Sequence, residues 1–417
     1  MAGTVYINPT ARAGGNGSQS KPYNSWSQVK FSAGTTYLQA AGTTYTGNIY
    51  IGVQATAAAP VKIGSYGSGA APVIKGMVNF DNANFVSFSG FTVTNSSGAG
   101  AVVQNGANNI TIAGNSFNSS AMGIWIGNAA GTTNTIQGNT ITGSVTDGIA
   151  VCDVTGSGSV IANNRITGSG SHGIELQGNG FTVENNTVTG NGLTVSGSSG
   201  IHVYSTGTAD PYGDNNIIAG NVSINNHDTT GQDGNGIELD QWTHNNHVSN
   251  NFCYSNDGAG IVLYDSYSNL ISNNTVGGNE LNSGGSHSIM GEFVLNEALN
   301  LTSNNTISGN VLIGVSASSA TVYVDGPSSA NGNKFIANIL ENLGGGSIYD
   351  WNGIGGSSLS FWQQSAGTTD QFSGVTLTAP PAGVTASFLF PTGLIASIDG
   401  RLVSLIGWAP GYGLLGG

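Results

Sequence analysis

Four ionisable residues that share one local phrase are the strongest candidates for chemistry in this chain. Glu175, His202 and Glu238 each follow an isoleucine in the phrase Gly-Ile-x-(Leu/Val), and Asp240 comes two residues after Glu238. Carboxyl groups and an imidazole that lie close together shift one another's pKa values, which supplies a proton donor beside a proton acceptor. Only 7% of the residues are charged. The recurrence of these groups in one phrase therefore predicts a site for acid–base catalysis.

The phrase belongs to a repeat that runs through most of the chain. Its isoleucine position recurs at Ile124, Ile149, Ile174, Ile201, Ile237 and Ile261, and is expected again at Phe293 and Val322. A series of asparagines recurs in step with it, at Asn115, Asn139, Asn164, Asn186, Asn221, Asn251, Asn274, Asn305 and Asn338. Apolar/polar alternation predicts short strands, and Gly, Asn and Ser between them predict turns. About 22 to 25 residues for three short strands fits one coil of a parallel β-helix.

The asparagine series has a structural interpretation. Asparagine tolerates left-handed backbone angles, and asparagines stacked at one bend can hydrogen-bond to one another as a ladder. We therefore expect an all-β solenoid of about 10–12 coils, in which the ladder is scaffold and carries no chemistry.

Alternation along the strands identifies the side chains that point away from the core. If the isoleucines face inward, we expect solvent-facing columns in adjacent coils. The first column holds Trp125, Ala150, Glu175, His202, Glu238, Val262, Val294 and Tyr323. The second holds Gly127, Cys152, Gln177, Tyr204, Asp240, Tyr264, Asn296 and Asp325. Glu175, His202, Glu238 and Asp240 are the predicted catalytic residues.

Insertions occur beside these columns. The step from Ile201 to Ile237 is 36 residues, and its extra length falls in segments 206–214 and 226–235. Long loops next to a rigid scaffold are common places for binding and catalysis. We expect them to form the walls of a groove. The predicted substrate-binding residues are Tyr204, Gln177, Tyr264, Asp210, Asp214 and Trp242.

Composition excludes several classes of partner. The net charge is −13 with eight basic residues, which disfavours binding to nucleic acid. No apolar run is long enough to span a membrane, and the N-terminus lacks a secretory signal pattern. These features fit a mature secreted protein or a phage protein released by lysis. Cys152 and Cys253 lie several coils apart, so free thiols are expected.

Several segments carry a family resemblance. Val5-Tyr6-Ile7-Asn8-Pro9, Lys21-Pro22-Tyr23-Asn24-Ser25-Trp26, 42–47 and 59–63 resemble the start of right-handed parallel β-helix proteins of the pectate-lyase-like superfamily. The repeats extend the resemblance to about residue 345. It implies a right-handed single-stranded parallel β-helix. It also implies action on polysaccharides, since lyases, glycoside hydrolases, epimerases and phage tailspikes share this fold.

Expected distances favour one mechanism. Glu175 and Glu238, two coils apart, should have Cα atoms about 9–10 Å apart, and Glu238 and Asp240 about 6.5–7 Å. Inverting glycosidases hold their carboxyl groups about 6.5–9.5 Å apart, so we expect hydrolysis with inversion. No metal is required, and the expected partner is a polysaccharide.

Two alternatives remain open at this stage. A lyase or epimerase would use His202 and Tyr204 as base and acid, with calcium held by Asp210, Asp214 or Asp240. A non-catalytic glycan-binding tailspike is the other, and the protein is either a monomer or a homotrimer. The phrase Ser171-His172-Gly173 resembles the Gly-His-Gly of polygalacturonases, but their paired-aspartate and Arg-x-Lys motifs are missing.

The repeat divides the chain into three parts. Residues 1–54 are predicted to form an N-terminal cap and first strands, 55–350 the β-helix with its groove, and 351–417 a non-repetitive C-terminal segment. A solenoid end must be covered, so we expect this last segment to be a cap, with an oligomer contact as the alternative. A short helix is expected near residues 359–364.

Overall fold

A computed structural model describes most of the chain. The described residues are 3–95, 97–127, 129–207, 212–231, 233–281, 291–299, 301–367, 369–372, 375–378, 395–398 and 401–403. They form three 13-stranded sheets that run along a right-handed solenoid of about 11 turns, which confirms the predicted fold.

Each coil contributes one short strand to each sheet, and coils pair in parallel. The sheet that carries the predicted catalytic residues, here the site sheet, consists of Ile49–Ile51, Val78–Asp81, Ala99–Gln104, Met122–Ile126, Ile149–Thr155, Ile174–Asn179, Ile201–Val203, Ile237–Asp240, Ile261–Tyr264, Gly291–Asn296, Ala320–Val324, Tyr349–Trp351 and the antiparallel Ile354–Gly356. The next, here the ladder sheet, consists of Thr44–Thr46, Val73–Lys75, Thr92–Thr94, Ser116–Asn118, Thr140–Thr142, Arg165–Thr167, Thr187–Thr189, Val222–Ile224, Phe252–Tyr254, Thr275–Gly277, Val311–Gly314, Ile339–Asn342 and Gln371–Phe372. The third sheet consists of Thr4–Ile7, Thr36–Ala40, Val61–Tyr66, Asn84–Ser89, Asn108–Ala113, Thr135–Gln137, Val160–Ala162, Thr182–Glu184, Ile217–Ala219, His247–Ser249, Leu270–Ser272, Thr306–Ser308 and Lys334–Ile336.

The isoleucine column forms one side of the core, as predicted. Its members pair in register from coil to coil through Phe293 to Val322, and all are fully buried. The glycine before each isoleucine is required by close packing of the coils. A Cβ on Gly173, for example, would lie 2.2 Å from Cγ1 of Val188 and 2.7 Å from the oxygen of Gly200. The phrase Gly-Ile is thus a packing signal that fixes the register of the site sheet.

The asparagine ladder is confirmed, with one correction. In this ladder each asparagine accepts hydrogen bonds from the backbone N–H and the amide of its predecessor, as Asn221 does from Asn186 at 2.9 and 3.0 Å. Assigning Asn305 to this ladder was wrong. Asn274 donates to Asn310, and Asn305 belongs to a second ladder at another corner of the coil. Asn305 and Asn310 both stand directly before a strand, so spacing alone does not separate them.

A short helix covers the C-terminal end of the core. It spans Leu359–Ala366; Ser358 caps its start through its side-chain oxygen, and Gly367 ends it with a left-handed backbone at φ 62°. Trp362 is fully buried and donates from Nε1 to Asp370 at 3.0 Å. Asp370 in turn accepts from Asn338 and so ends the asparagine ladder. The predicted helix is confirmed.

Two 3-10 helices and a small antiparallel sheet complete the described elements. Two 3-10 helices span Trp26–Gln28 and Ser328–Ala330. A small antiparallel sheet consists of Val375–Thr378, Ile395–Ile398 and Arg401–Val403. Most of the segment beyond 378 lies outside the described residues, so its role as a cap or oligomer contact stays a prediction, as do the three domain boundaries.

Cys152 and Cys253 are both free thiols, as predicted. Within the described part of the chain, no helix is long and apolar enough to cross a membrane.

Candidate active site

Three predicted catalytic residues occupy adjacent positions on the outer face of the site sheet. Glu175 pairs with His202, and His202 pairs with Glu238, in consecutive coils. The expectation that this column faces solvent was wrong, because His202 is 9% exposed and Glu238 5%. The column continues into Val262 and Val294, which are also buried. The site therefore has a lower effective dielectric than an open sheet, and its charges interact more strongly.

His202 lies between two carboxylates. Its Nδ1 is 2.6 Å from Oε2 of Glu175, and its Nε2 is 3.4 Å from Oδ2 of Asp240. Burial alone would lower the pKa of His202, but the charge and hydrogen bonds of Glu175 and Asp240 raise it well above its usual range. Burial likewise opposes ionisation of Glu175, yet the two histidines beside it lower its pKa. His202 is therefore an imidazolium at neutral pH.

His172 completes this arrangement and was not among the predicted site residues. Its ring stacks on that of His202 with centroids 4.4 Å apart and an interplanar angle of 6°. Its Nε2 is 3.4 Å from Oε2 of Glu175, and its Nδ1 accepts from the backbone N–H of Ser199 at 3.1 Å. Burial lowers the pKa of His172 to about 4, so the ring is neutral. Because Nδ1 accepts, the single proton is on Nε2, the ring atom nearer Glu175.

Glu238 has a different environment from Glu175. Its Oε2 accepts from Oγ of Ser199 at 2.6 Å and from Nδ2 of Asn235 at 3.0 Å. Burial raises the pKa of Glu238 despite these donors and the charge of His202. Asp233, on the loop above, shares the amide of Asn235 at 3.4 Å. Burial and the charge of Glu238 raise the pKa of Asp233 to about 8.

A third column explains how these additional residues reach the site. Asp147, His172, Ser199 and Asn235 all stand two residues before the buried isoleucine of their coil. The backbone N–H of His172 donates to Asp147, and that of Ser199 donates to His172. Burial and the charge of Glu175 raise the pKa of Asp147 to about 6. The alignment was readable in the sequence, but the strand pattern ends at the glycine and assigns no direction to the residue before it.

The predicted binding residues fall into two groups. Tyr204 stacks on His202 with centroids 5.6 Å apart, and Gln177 lies two residues after Glu175 on the same strand. Tyr264 is directly paired with Asp240 in the next coil and packs against the buried cluster of Ala259, Val262 and Val294. These three residues lie on the same face as the carboxylates.

The loop residues are placed differently. Asp214 accepts from the backbone N–H of His244 and pairs with its Nδ1, each at 2.8 Å, and the His244 ring stacks on Tyr267. Trp242 lies in the turn after Asp240 with a left-handed backbone. Asp210 lies outside the described residues. The pair Asp214–His244 thus forms a separate polar cluster beyond the end of the strand.

Two triads bring possible metal ligands within 4.8 Å of one another: His172, Glu175 and His202, and His202, Glu238 and Asp240. In the first, the protonated Nε2 of His172 is directed at Glu175 and offers no lone pair. Calcium takes six to eight oxygen ligands, whereas the second triad offers two carboxylates and an imidazole. These residues do not fit calcium.

Comparisons with known proteins agree with this fold. Residues 76–229 match the family described as a right handed beta helix region. No curated protein matches the chain in sequence. These findings confirm the resemblance to right-handed parallel β-helix proteins that the sequence carries.

Solved structures show the same architecture at low identity. The A-module of a mannuronan C-5 epimerase from Azotobacter vinelandii is 16% identical, with a TM-score of 0.54 over 84% of this chain and 91% of that one. A mannuronic acid specific family 6 lyase from human gut microbiota is 11% identical, with a TM-score of 0.52 over 89% and 91%. A GH136 lacto-N-biosidase from Eubacterium ramulus is 13% identical, with a TM-score of 0.51 over 80% and 67%. At these identities the likeness is one of fold.

Proposed function

We propose that this protein is a polysaccharide-cleaving enzyme that hydrolyses glycosidic bonds with Glu238 and Asp240. The observation that carries the proposal is the unequal environment of two adjacent carboxyl groups. Burial raises the pKa of Glu238, while Asp240 lies against the imidazolium of His202. Glycosidases need one protonated and one ionised carboxyl group, and environments of this kind separate the two.

Glu238 is the general acid in this mechanism. Ser199 and Asn235 both donate to Oε2, so the proton of the neutral acid is on Oε1 and is transferred to the leaving glycosidic oxygen. Asp240 acts as the ionised partner and lies against the charged ring of His202. Glu175 is a positioning residue, because it acts through His202.

One carboxylate oxygen of Glu238 and one of Asp240 lie within 4.8 Å of each other, so both groups can reach the same glycosidic bond. Alternate residues of a strand have Cα atoms about 6.5–7 Å apart, and on this spacing inversion stays the preferred stereochemistry.

β-Elimination or epimerisation is the second candidate, and the stacked pair of His202 and Tyr204 is the observation in its favour. The general base in that chemistry must accept a proton from the sugar ring. An imidazolium held between Glu175 and Asp240 has no free lone pair for this step. The environment of His202 therefore favours hydrolysis. Polysaccharide-degrading enzymes with this fold are often extracellular, so the proposal includes secretion.

A screen of polysaccharides tests this function. We expect release of reducing ends without the ultraviolet absorbance of an unsaturated uronate, and loss of at least a hundredfold in rate for Glu238→Gln. Glu184→Gln, on a strand of the third sheet, is the matched control and should keep full activity. Unsaturated products would establish elimination and overturn hydrolysis. Full activity in Glu238→Gln would remove the proposed acid.

A further inference from the structure

The distribution of charge around the site is strongly one-sided. The 13 strands of the site sheet contain no Lys or Arg, whereas they carry Asp81, Asp153, Glu175, Glu238, Asp240, Glu292 and Asp350. In the described structure, Lys62, Lys75, Arg165 and Lys334 lie on the other two sheets. Arg12, Lys21 and Lys30 are in the N-terminal segment, and Arg401 is in the small C-terminal sheet.

Acidic side chains lie near Glu238 and Asp240 on both sides along the solenoid. Asp233 on the covering loop interacts electrostatically with both Glu238 and Asp240. Asp147 lies on the other side and interacts with Glu175. Toward the C-terminal coils, burial and the nearby charges of Asp240 and Asp325 raise the pKa of Tyr264.

The cations at the site are already neutralised by protein groups. His202 is shared between Glu175 and Asp240, and the neutral His172 contributes no charge. His227 is paired with Asp257 at 3.1 Å. Among the described groups, a ligand carboxylate or sulfate at this site would meet the carboxylates of Glu175 and Asp240 and no cation that is not already paired. Sugar hydroxyls, by contrast, can donate to the carboxylate oxygens.

We infer that the site takes a glycan free of uronate and sulfate groups. The inference rests on the proposed function, since it assigns the substrate class of the same site. The inferred substrate class differs from that of enzymes with the same fold that act on uronate polymers. One fold can take both classes, because the fold itself does not determine the ligand. Recognition then depends on hydroxyl groups and on the aromatic surfaces of Tyr204 and Tyr264.

A glycan array with the Glu238→Gln protein tests the inference without turnover. The array carries uncharged oligosaccharides, the same types of chain with uronate residues, and sulfated ones. We expect binding to uncharged members, and at least tenfold weaker binding to uronate-bearing or sulfated members at low salt. The difference should shrink as salt is added, because screening acts over about 10 Å at 0.1 M ionic strength. Binding to uronate-bearing members as strong as to uncharged ones, or binding to no uncharged member, would overturn the inference.

A charge-neutralising variant tests the cause. At pH 9, where Asp233 is ionised, Asp233→Asn combined with Glu238→Gln should strengthen binding of uronate-bearing members several-fold. Asp81→Asn removes the same charge from the same sheet four strands before Glu175 and should leave binding unchanged. An equal effect of the two variants would show that local charge does not select the ligand.

The failure of this inference can be distinguished from failure of the proposed function. Wild-type cleavage of a polyuronate by hydrolysis, lost in Glu238→Gln, would overturn the substrate class and leave the mechanism standing. Binding of uncharged glycans with no cleavage of any of them would support the substrate class and overturn the mechanism.

Discussion

The hydroxyl of Ser199 donates to Oε2 of Glu238 at 2.6 Å, while the backbone N–H of the same serine donates to Nδ1 of His172 at 3.1 Å. His172 contacts Glu175, and Glu175 holds His202 against Asp240. A continuous series of contacts therefore links Glu238, the proposed acid, to its ionised partner Asp240 through the residues behind them. A change in Ser199 should act on the protonation of Glu238.

Ser199→Ala removes the hydroxyl donor and keeps the backbone N–H. That hydrogen bond stabilises the ionised form and lowers the pKa of Glu238. Its loss, worth about 1.5 kcal/mol for a charged acceptor, raises the pKa further. The alkaline limb of the kcat/KM profile, where Glu238 loses its proton, should move to higher pH. The exposed Ser157→Ala is the control, and an unchanged limb in Ser199→Ala would contradict the assignment of the acid.

Glu175→Gln tests the imidazolium directly. Glu175 and Asp240 together raise the pKa of His202, so removing one charge should lower it. A raised pKa stabilises the fold fully below the unfolded value of about 6.5, and this contribution is lost as pH rises through the folded value. In the variant this contribution should therefore be smaller, and its loss should be complete at a lower pH. Nitrogen-15 NMR of the imidazole rings measures the change, with Glu184→Gln as control. An identical His202 titration in wild type and Glu175→Gln would refute the ion pair.

The repeat made the register of the site predictable. Gly-Ile-x-Leu specifies both the inward residue and the glycine that close coil packing requires, so Glu175, His202 and Glu238 could be aligned without coordinates. A shift of one residue along a strand would have placed these side chains in the core. The carboxylate column therefore followed from patterning alone.

Other features depend on contacts that the strand pattern does not encode. The covering of Glu238 depends on loops, whose paths do not repeat. His172 and Ser199 stand just before the strand, where alternation no longer fixes direction. Asn305 and Asn310 both fit the asparagine spacing, and only the hydrogen bonds assign them to different corners. The sequence thus predicted the scaffold and the four residues Glu175, His202, Glu238 and Asp240. It did not predict His172 or Ser199.

Asn221→Ala should destabilise the solenoid. The Asn221 side chain accepts from the backbone N–H and amide of Asn186 and donates to the oxygen of Val183, all in the buried interior. Its removal leaves buried partners unsatisfied, which costs about 2–4 kcal/mol. Urea unfolding should show a lower free energy of unfolding by this amount. Thr142→Ala, at an exposed position on the ladder sheet, should change it by less than about 0.5 kcal/mol. Equal stability of the two variants would remove the ladder as a source of stability.

Glu292→Gln should reduce the pH dependence of stability. Glu292 is buried at the end of a third asparagine ladder, where its carboxyl group accepts from the backbone N–H and amide of Asn279 at 3.0 and 2.7 Å. Burial raises its pKa to about 7 from an ordinary value of 4.5. Its contribution is therefore most favourable below pH 4.5 and falls by up to about 3 kcal/mol as pH rises to 7. Glutamine keeps an acceptor for Asn279 and has no charge to bury. The fall in Tm between pH 5 and pH 8 should thus be smaller in Glu292→Gln than in wild type, whereas Glu184→Gln should match wild type. A fall as large as that of wild type would show that Glu292 ionises without cost in the folded protein.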